Sequence, residues 1–377
     1  MTFRVGVIGG GQLARMMIEP ALAMGLDLKV FAESEGSSAA LGATQVGDYT
    51  QVSQLREFAK TVDVITFDHE HVPLSVLEVL EAEGISVQPP SKALKFAQNK
   101  LLMRKRLSEL GLPMPAWAEI KSAAELDDFI AENGGEVILK TPIGGYDGKG
   151  VAVVRSSADA AAWLQNIDQF GGSLLAEQKV PFVRELAQLV ARRPSGETRS
   201  WPLVQTVQKD GVCSQVLVPA PNASEQTVAA AAEIALKVSN GLGVTGVMAV
   251  EMFETEDGTL FINELAMRPH NSGHFSIEGS TTSQFEQHLR AVLDLPLGST
   301  DPTAAHSVMV NLLGVDDSND FVSRYPKALS AHPNAKFHTY GKGARKGRKM
   351  GHITVTGADA EAVLAEALAA ASVCLQG

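Results

Sequence analysis

The sequence predicts an α/β protein that opens with a doubly wound parallel sheet, continues as an α+β region and closes with a small unit of strands and one helix. Three observations carry this. Short apolar runs alternate with helical patterns through the first 90 residues, as parallel strands with crossover helices require. Pro89-Pro90-Ser91 stops that pattern. From Trp117 onward strand-like runs follow one another with fewer helices between them.

The first unit is expected to hold strands at 4–8, 28–32, 62–67 and 85–87 and helices at 12–24, 51–60 and 74–83. A basic amphipathic helix over 97–110 connects it to the next. There follow strands at 136–140, 151–154 and 173–178 with a helix at 158–167. Beyond them lie strands at 184–193, 201–208, 212–218, 245–254 and 259–266 with a helix at 224–240. Strands near 306–312, 335–340 and 351–356 and a helix over 359–373 resemble a small lid or cap. The units are 1–95, 96–295 (a second lobe beginning near 175) and 296–377.

The 377 residues carry 32 Lys+Arg against 43 Asp+Glu, a net charge of −11. Such a chain is a poor general binder of nucleic acid, so an anionic substrate must be gripped by locally concentrated positive charge. Cys213 and Cys374 alone supply neither a disulfide framework nor a cysteine zinc site, which fits a reduced, cytoplasmic setting. The N-terminal apolar run is broken by glycines, Gln12 and Arg15, unlike a signal peptide, and no membrane span is expected.

Gly9, Gly11 and Ala14 fit G-x-G-x-x-G/A, and Glu33 stands where a ribose-binding acid would follow. Alone, these point to an NAD(P)-dependent oxidoreductase. The same glycines also serve close helix packing, or another ligand, in any doubly wound domain. A stronger signal is Lys140-Thr-Pro-Ile-Gly144-Gly145-Tyr146-Asp147-Gly148-Lys149-Gly150 between two expected strands. Its glycines let backbone N–H groups turn onto phosphate oxygens and its lysines add charge, without the Walker spacing.

Glu251 and Glu264 lie in apolar strands joined by Asp257-Gly258. With that pair as a two-residue turn, Glu256 faces Thr259 and Glu251 lands opposite Glu264, about 5 Å away. Opposed carboxylates in apolar strands ask for a shared proton or a hard cation, Mg2+ or Mn2+. Asn263 would add an oxygen if the strand bulges there. Next comes Arg268-Pro-His270-Asn271-Ser272-Gly-His274: Arg268 could grip a doubly charged intermediate, and His270 or His274 could move a proton. Finally, Lys342, Arg345, Lys346, Arg348 and Lys349 crowd a glycine-containing, aromatic-free run, favouring phosphate over bases.

Through GGGQLARM (9–16), LKTPIGGYDGKG (139–150), AEQKVPFVRE (176–185), GVMAVEMF (246–253), INELAMRPHNSGH (262–274), TSQFEQHLRAV (282–292) and GRKMGHI (347–353), the chain resembles the N5-carboxyaminoimidazole ribonucleotide synthetase family of ATP-grasp enzymes of purine biosynthesis. The resemblance implies an N-terminal doubly wound α/β domain, a central two-lobed ATP-grasp region and a small C-terminal β-rich domain. It also implies a cytoplasmic homodimer and a reaction in which ATP and bicarbonate give carboxyphosphate, which carboxylates 5-aminoimidazole ribonucleotide.

Carried over by motif, Lys100, Lys140 and the 145–151 loop (Gly145, Tyr146, Asp147, Gly148, Lys149, Gly150, Val151) hold ATP phosphates. Glu177, Gln178, Lys179 and Val180 line the adenine pocket, Glu185 takes the ribose, and Gln208, Asn263 and Glu264 complete the nucleotide site. Glu251 and Glu264 match the metal ligands, and Arg268, His270, Asn271 and Lys149 the catalytic positions. Gln12, Glu70, Tyr146, Asp147, Lys149, Arg268, His270, Asn271, Ser272, Lys342, Arg345, Arg348 and Lys349 match the substrate pocket. Two positions depart from the family pattern: Lys100 replaces the usual Arg, losing a planar two-pronged contact, and Gln208 replaces a common His. Formate-activating ATP-grasp ligases and a non-catalytic nucleotide sensor are the neighbouring alternatives.

Overall fold

The computed structural model describes residues 2–144, 150–315 and 321–376. The first unit comprises β1 (Arg4–Ile8), α1 (Gln12–Ala23), β2 (Asp27–Ala32), β3 (Ala43–Val46), α2 (Val52–Ala59), β4 (Val64–Phe67) and α3 (Leu74–Ala82). Its strands run parallel in the order β3-β2-β1-β4. All four residues of β4 are buried, as expected where crossover helices cover a parallel sheet. The edge strand β3, Ala-Thr-Gln-Val, is too short and polar to stand out as a pattern. The strand expected over 85–87 reduces to one bridge between Val87 and Ile65.

The single helix expected over 97–110 is two, α4 (Ser91–Gln98) and α5 (Lys100–Glu109). Asn99 separates them with φ −136°, and its carboxamide accepts from Leu102 N at 3.1 Å, capping α5. Next come β5 (Trp117–Ile120), α6 (Ala123–Glu132), β6 (Val137–Lys140), β7 (Val151–Val154), α7 (Ala161–Gln165) and β8 (Leu174–Gln178). These strands form an antiparallel sheet in the order β5-β8-β6-β7. The helix expected over 158–167 is broken into α7 and flanking 3-10 turns, Ser157–Ala160 and Ile167–Phe170.

The rest is β9 (Phe182–Arg192), β10 (Thr198–Ser200), β11 (Val204–Lys209), β12 (Val212–Val218), α8 (Glu225–Leu242), β13 (Gly246–Thr255), β14 (Leu260–Ala266), α9 (Ser276–Gly279), α10 (Gln284–Val292), β15 (His306–Leu313), α11 (Phe321–Ala331), β16 (Lys336–Thr339), β17 (Lys349–Gly357) and α12 (Ala360–Gln376). No pattern predicts α11, because Pro326 interrupts its helical spacing. The strands make one nine-stranded sheet, β14-β13-β9-β11-β12-β15-β17-β16, with β10 on β9.

The closing unit is therefore less separate than a cap. β15 pairs antiparallel with β12, Gln215 opposite Val310 and Val218 opposite Ser307, so its strands continue the central sheet. α12 covers one face of that extension, packing Val363, Ala367, Ala370 and Cys374 against Val308, Leu312, Ile353 and Val355. His288 of α10 fastens the first unit to the large sheet. Its Nδ1 accepts from Val247 N at 3.0 Å, which leaves Nε2–H to donate to Thr66 Oγ1 at 2.7 Å.

Candidate active site

A cleft of about 1190 Å³ opens between the small and large sheets, bounded by the first glycine turn and the basic run before β17. Its floor holds the acidic pair. Glu251 of β13 lies opposite Glu264 of β14, by a route that differs from the expected turn. Thr255, not Glu256, faces Thr259: Thr255 N donates to Thr259 O at 3.0 Å. The turn thus has three residues, Glu256-Asp257-Gly258, with Gly258 at φ 81°. The one-residue offset is cancelled beyond Ile262, where the register shifts and Asn263 is the extra residue of a bulge. Burial pushes the Glu251 carboxyl up to about 8, with the like charges of Glu264 and Glu185 adding to it.

Asn263 does not turn its carboxamide to the acidic pair. Its Oδ1 accepts from Lys140 Nζ at 3.1 Å, and Lys140 also pairs with Glu177 Oε2 at 2.7 Å. Arg104, fully buried, donates to Glu177 Oε1 at 2.6 Å. Burial alone would raise the Glu177 carboxyl, but the charges of Arg104 and Lys140 bring it below its ordinary value. Lys100 Nζ lies 3.3 Å from Glu264 Oε1. Burial raises Glu185, against the opposing hydrogen bond from Gln208.

Past β14 the chain turns through Arg268–Ser272. Glu70 reaches in from the first unit: its Oε1 accepts from Met267 N at 2.5 Å and its Oε2 lies 3.4 Å from Arg268 Nε. Gln284 of α10 holds the turn, its Oε1 accepting from His270 N and its Nε2 donating to His270 O, both at 2.8 Å. Burial, then Arg268 and Lys349, pushes His270 well below the ordinary range, so the ring is neutral. Ser272 N donates to its Nδ1 at 3.3 Å, so the proton sits on Nε2, 3.2 Å from Glu251 Oε1. Asn271 is 7% exposed, and among the described residues its carboxamide finds no oxygen or nitrogen partner, only the Cys213 thiol beside it. A buried amide in that state faces water or a ligand.

The glycine turn is already engaged by acids. Gly10 N donates to Glu33 Oε2 at 2.9 Å and Ala14 N to Asp68 Oδ1 at 2.7 Å. The hydrogen bond from His69 is the main cause holding Glu33 down at about 2. Two carboxylates on the N–H groups that would receive a pyrophosphate speak against the dinucleotide reading. Gln12 faces the other end of the chain, its Oε1 accepting from Lys342 Nζ at 2.6 Å.

Gln12, Glu70, Lys100, Lys140, Val151, Gln178, Lys179, Val180, Gln208, Ser272, Arg345, Arg348 and Lys349 line the same cleft as the residues above. Gly150 does not line it; its carbonyl accepts from Thr141 N at 2.9 Å. Gly145, Tyr146, Asp147, Gly148 and Lys149 lie outside the described residues. Arg104 and Asp68 belong to no quoted motif, because each acts through partners distant in sequence, and Gln284 lies in TSQFEQHLRAV without a role that the motif alone assigns. Cys213 also lines the cleft, but burial pushes its thiol up to about 12, which removes it as a nucleophile.

A two-lobed cleft with opposed acids on one lobe and lysines reaching from the other defines an ATP-grasp ligase. The chain matches three families end to end: the ribonucleotide synthetase preATP-grasp domain over residues 1–98, the ATP-grasp domain over 105–285 and the phosphoribosylaminoimidazole carboxylase C-terminal domain over 307–366. It is 47% identical over 359 residues to N5-carboxyaminoimidazole ribonucleotide synthase of Mycobacterium tuberculosis, covering 94% of this chain and 84% of that protein. The Aspergillus clavatus carboxyaminoimidazole ribonucleotide synthase solved with ATP superposes with TM-score 0.89 at 36% identity, over 99% of this chain and 98% of that one. The same fungus's enzyme with ADP and 5-aminoimidazole ribonucleotide gives TM-score 0.89 at 34% identity, over 99% and 98%. The chain belongs to the N5-carboxyaminoimidazole ribonucleotide synthase family, ATP-dependent ligases of purine biosynthesis.

Proposed function

We propose that this chain uses ATP and bicarbonate to carboxylate the exocyclic amine of 5-aminoimidazole ribonucleotide, releasing ADP and phosphate. The observation that carries the reading is one cleft joining the acidic pair and Lys140 to a second cationic end where Gln12 meets Lys342. Its relatives bear that activity in their names, and one is solved with ADP and 5-aminoimidazole ribonucleotide.

Lys100, Lys140 and the 145–151 loop are assigned to the ATP phosphates, Glu177 to Val180 to the base through their backbone, and Glu185 with Gln208 to the ribose. Glu251 and Glu264 fit a hard divalent cation: both donors are oxygen, they face each other, and burial together with the like charge of Glu264 raises the Glu251 carboxyl in the absence of a cation. Glu251 and Glu264 would hold Mg2+ or Mn2+ there, and the ion would supply positive charge to offset the negative charge developing during phosphoryl transfer.

A bicarbonate oxygen attacks the γ-phosphorus, the bond to ADP breaks, and carboxyphosphate forms. The amine nitrogen then attacks its carboxyl carbon, phosphate departs and one proton leaves the nitrogen. Arg268 and the buried Asn271 carboxamide are assigned to the negative intermediate. His270, neutral and donating from Nε2 to Glu251, orients that carboxylate. Lys342, Arg345, Arg348 and Lys349 grip the ribonucleotide phosphate, with Gln12, Glu70 and Ser272 around the ribose and imidazole. Tyr146, Asp147 and Lys149 are assigned to the same substrates. Sequestration protects carboxyphosphate from water.

The three units are read as 1–95, 96–295 and 296–377. Among the described residues no helix is long and apolar enough to cross a membrane. We read a cytoplasmic homodimer acting on small molecules, without nucleic-acid or membrane partners. The test is phosphate release with ATP, Mg2+ and bicarbonate: release should require 5-aminoimidazole ribonucleotide, and release that ignores it, or that formate supports equally, overturns the assignment.

A further inference from the structure

We propose that Arg104 is a positioning residue for the nucleotide phosphates, keeping Glu177 from neutralising Lys140 while fixing the strand that presents Glu264. This rests on the ATP site proposed above. Arg104 belongs to α5, outside both sheets, and is 0% exposed. Its Nε donates to Glu177 Oε1 of β8 at 2.6 Å, its Nη1 to Ile262 O at 3.0 Å and its Nη2 to Asn263 O at 2.7 Å, the last two on β14. One planar group therefore joins the small sheet to the large one directly beneath the cleft, and it does not itself line the cleft.

The two carbonyls it satisfies belong to the bulge. Ile262 is the last residue in the turn-set register, Asn263 is the extra residue, and Glu264 is the first in the register that faces Glu251. β14 is the last strand of its sheet, so the groups on its outer side have no ladder partner; Ile262 N turns to Pro113 O, and the guanidinium fork takes up the Ile262 and Asn263 carbonyls. A lysine cannot: it offers a point charge on a flexible stem, where three contacts in two directions need the fork.

The charges give the second half of the argument. Glu177 is 2% exposed and shares one carboxylate between Arg104 and Lys140, whose Nζ lies 2.7 Å from Oε2. Two cations against one anion leave one positive charge over, and of the two cations Lys140 is the one lining the cleft. Without Arg104, Glu177 would pair wholly with Lys140 and the phosphates would meet a neutral pair. A purely structural ion pair predicts none of this, since such pairs contribute little net stability over apolar replacements.

Arg104→Met, Arg104→Lys and the double variant Arg104→Met/Glu177→Gln test the proposal, with MgATP titrated calorimetrically and KM for ATP and for 5-aminoimidazole ribonucleotide measured separately. Arg104→Met should weaken MgATP and raise its KM roughly 10- to 100-fold, the range for groups that orient ligands from behind, with KM for the ribonucleotide unmoved. Adding Glu177→Gln should recover part of the loss, because it restores the spare charge. Unchanged ATP affinity in Arg104→Met, or a further loss in the double variant, overturns the proposal. Should Arg104→Met not fold, Arg104→Lys decides: it keeps the charge and loses the fork, so a wild-type KM for ATP overturns the positioning role. A wild-type protein that fails to bind MgATP would instead refute the ATP site.

Discussion

Glu251 faces Glu264 across β13 and β14 because one inserted residue, Asn263, cancels the offset that the three-residue turn introduces. Deleting Asn263 would leave Glu264 next after Ile262 and so still opposite Glu251, while removing the carboxamide that accepts from Lys140 Nζ. The facing itself is tested by the substitution Glu264→Gln, which should lower kcat by about 100-fold or more, as loss of a charged transition-state contact typically does. Steady-state assays with circular dichroism check this; a Glu264→Gln variant with native fold and native activity would show that the acidic pair is dispensable.

The raised Glu251 carboxyl couples cation binding to protons. With its cation-free value at about 8, the group is largely protonated at pH 7 and must release a proton to ligate. Cation affinity should therefore rise with pH and level off above about 8. Titration calorimetry in two buffers of different ionisation enthalpy should find close to one proton released at pH 7, and equal heats in both would contradict it.

Gln284 carries the backbone of His270 on both sides through its own amide. Gln284→Leu should leave the His270 N–H unpartnered, at a cost of about 1–3 kcal/mol, while His270 O keeps the bond from Gly273 N at 2.9 Å. Thermal unfolding should register that loss, and kcat should fall more than KM for ATP changes. Gln284→Glu should retain the bond from His270 N and lose the one to His270 O, giving an intermediate effect.

His288 sets an acid limit on the joint between the first unit and the large sheet. Burial holds it down at about 3, against about 6.5 in the unfolded chain, so the unfolded state binds the extra proton between those values. Its contribution is complete above pH 6.5 and declines as pH falls toward 3. Denaturant melts between pH 7 and 4 should show this slope, and it should flatten in His288→Gln, at the cost of some stability at pH 7.

Much of this architecture is written in local pattern. The parallel strands of the first unit and the strand pair bearing Glu251 and Glu264 follow from apolar periodicity and one turn signal. The bulge is not visible there: Asp257-Gly258 reads equally as a two- or three-residue reversal, and only Arg104 and Lys140, over a hundred residues away, disclose what Asn263 does. The site residues in recurring motifs can be read from the chain, whereas Arg104 and Asp68 act through long-range pairs that no window contains. The break at Asn99 is a local event overruled by its own side chain, which caps α5 rather than extending α4.

The pairing of β15 with β12 makes the basic run before β17 an appendage of the catalytic scaffold itself. A chain shortened before His306 would not be an open-mouthed ligase with a weaker grip. It would expose the whole flank of β12 as an unpaired sheet margin, and self-association through that margin is the expected fate.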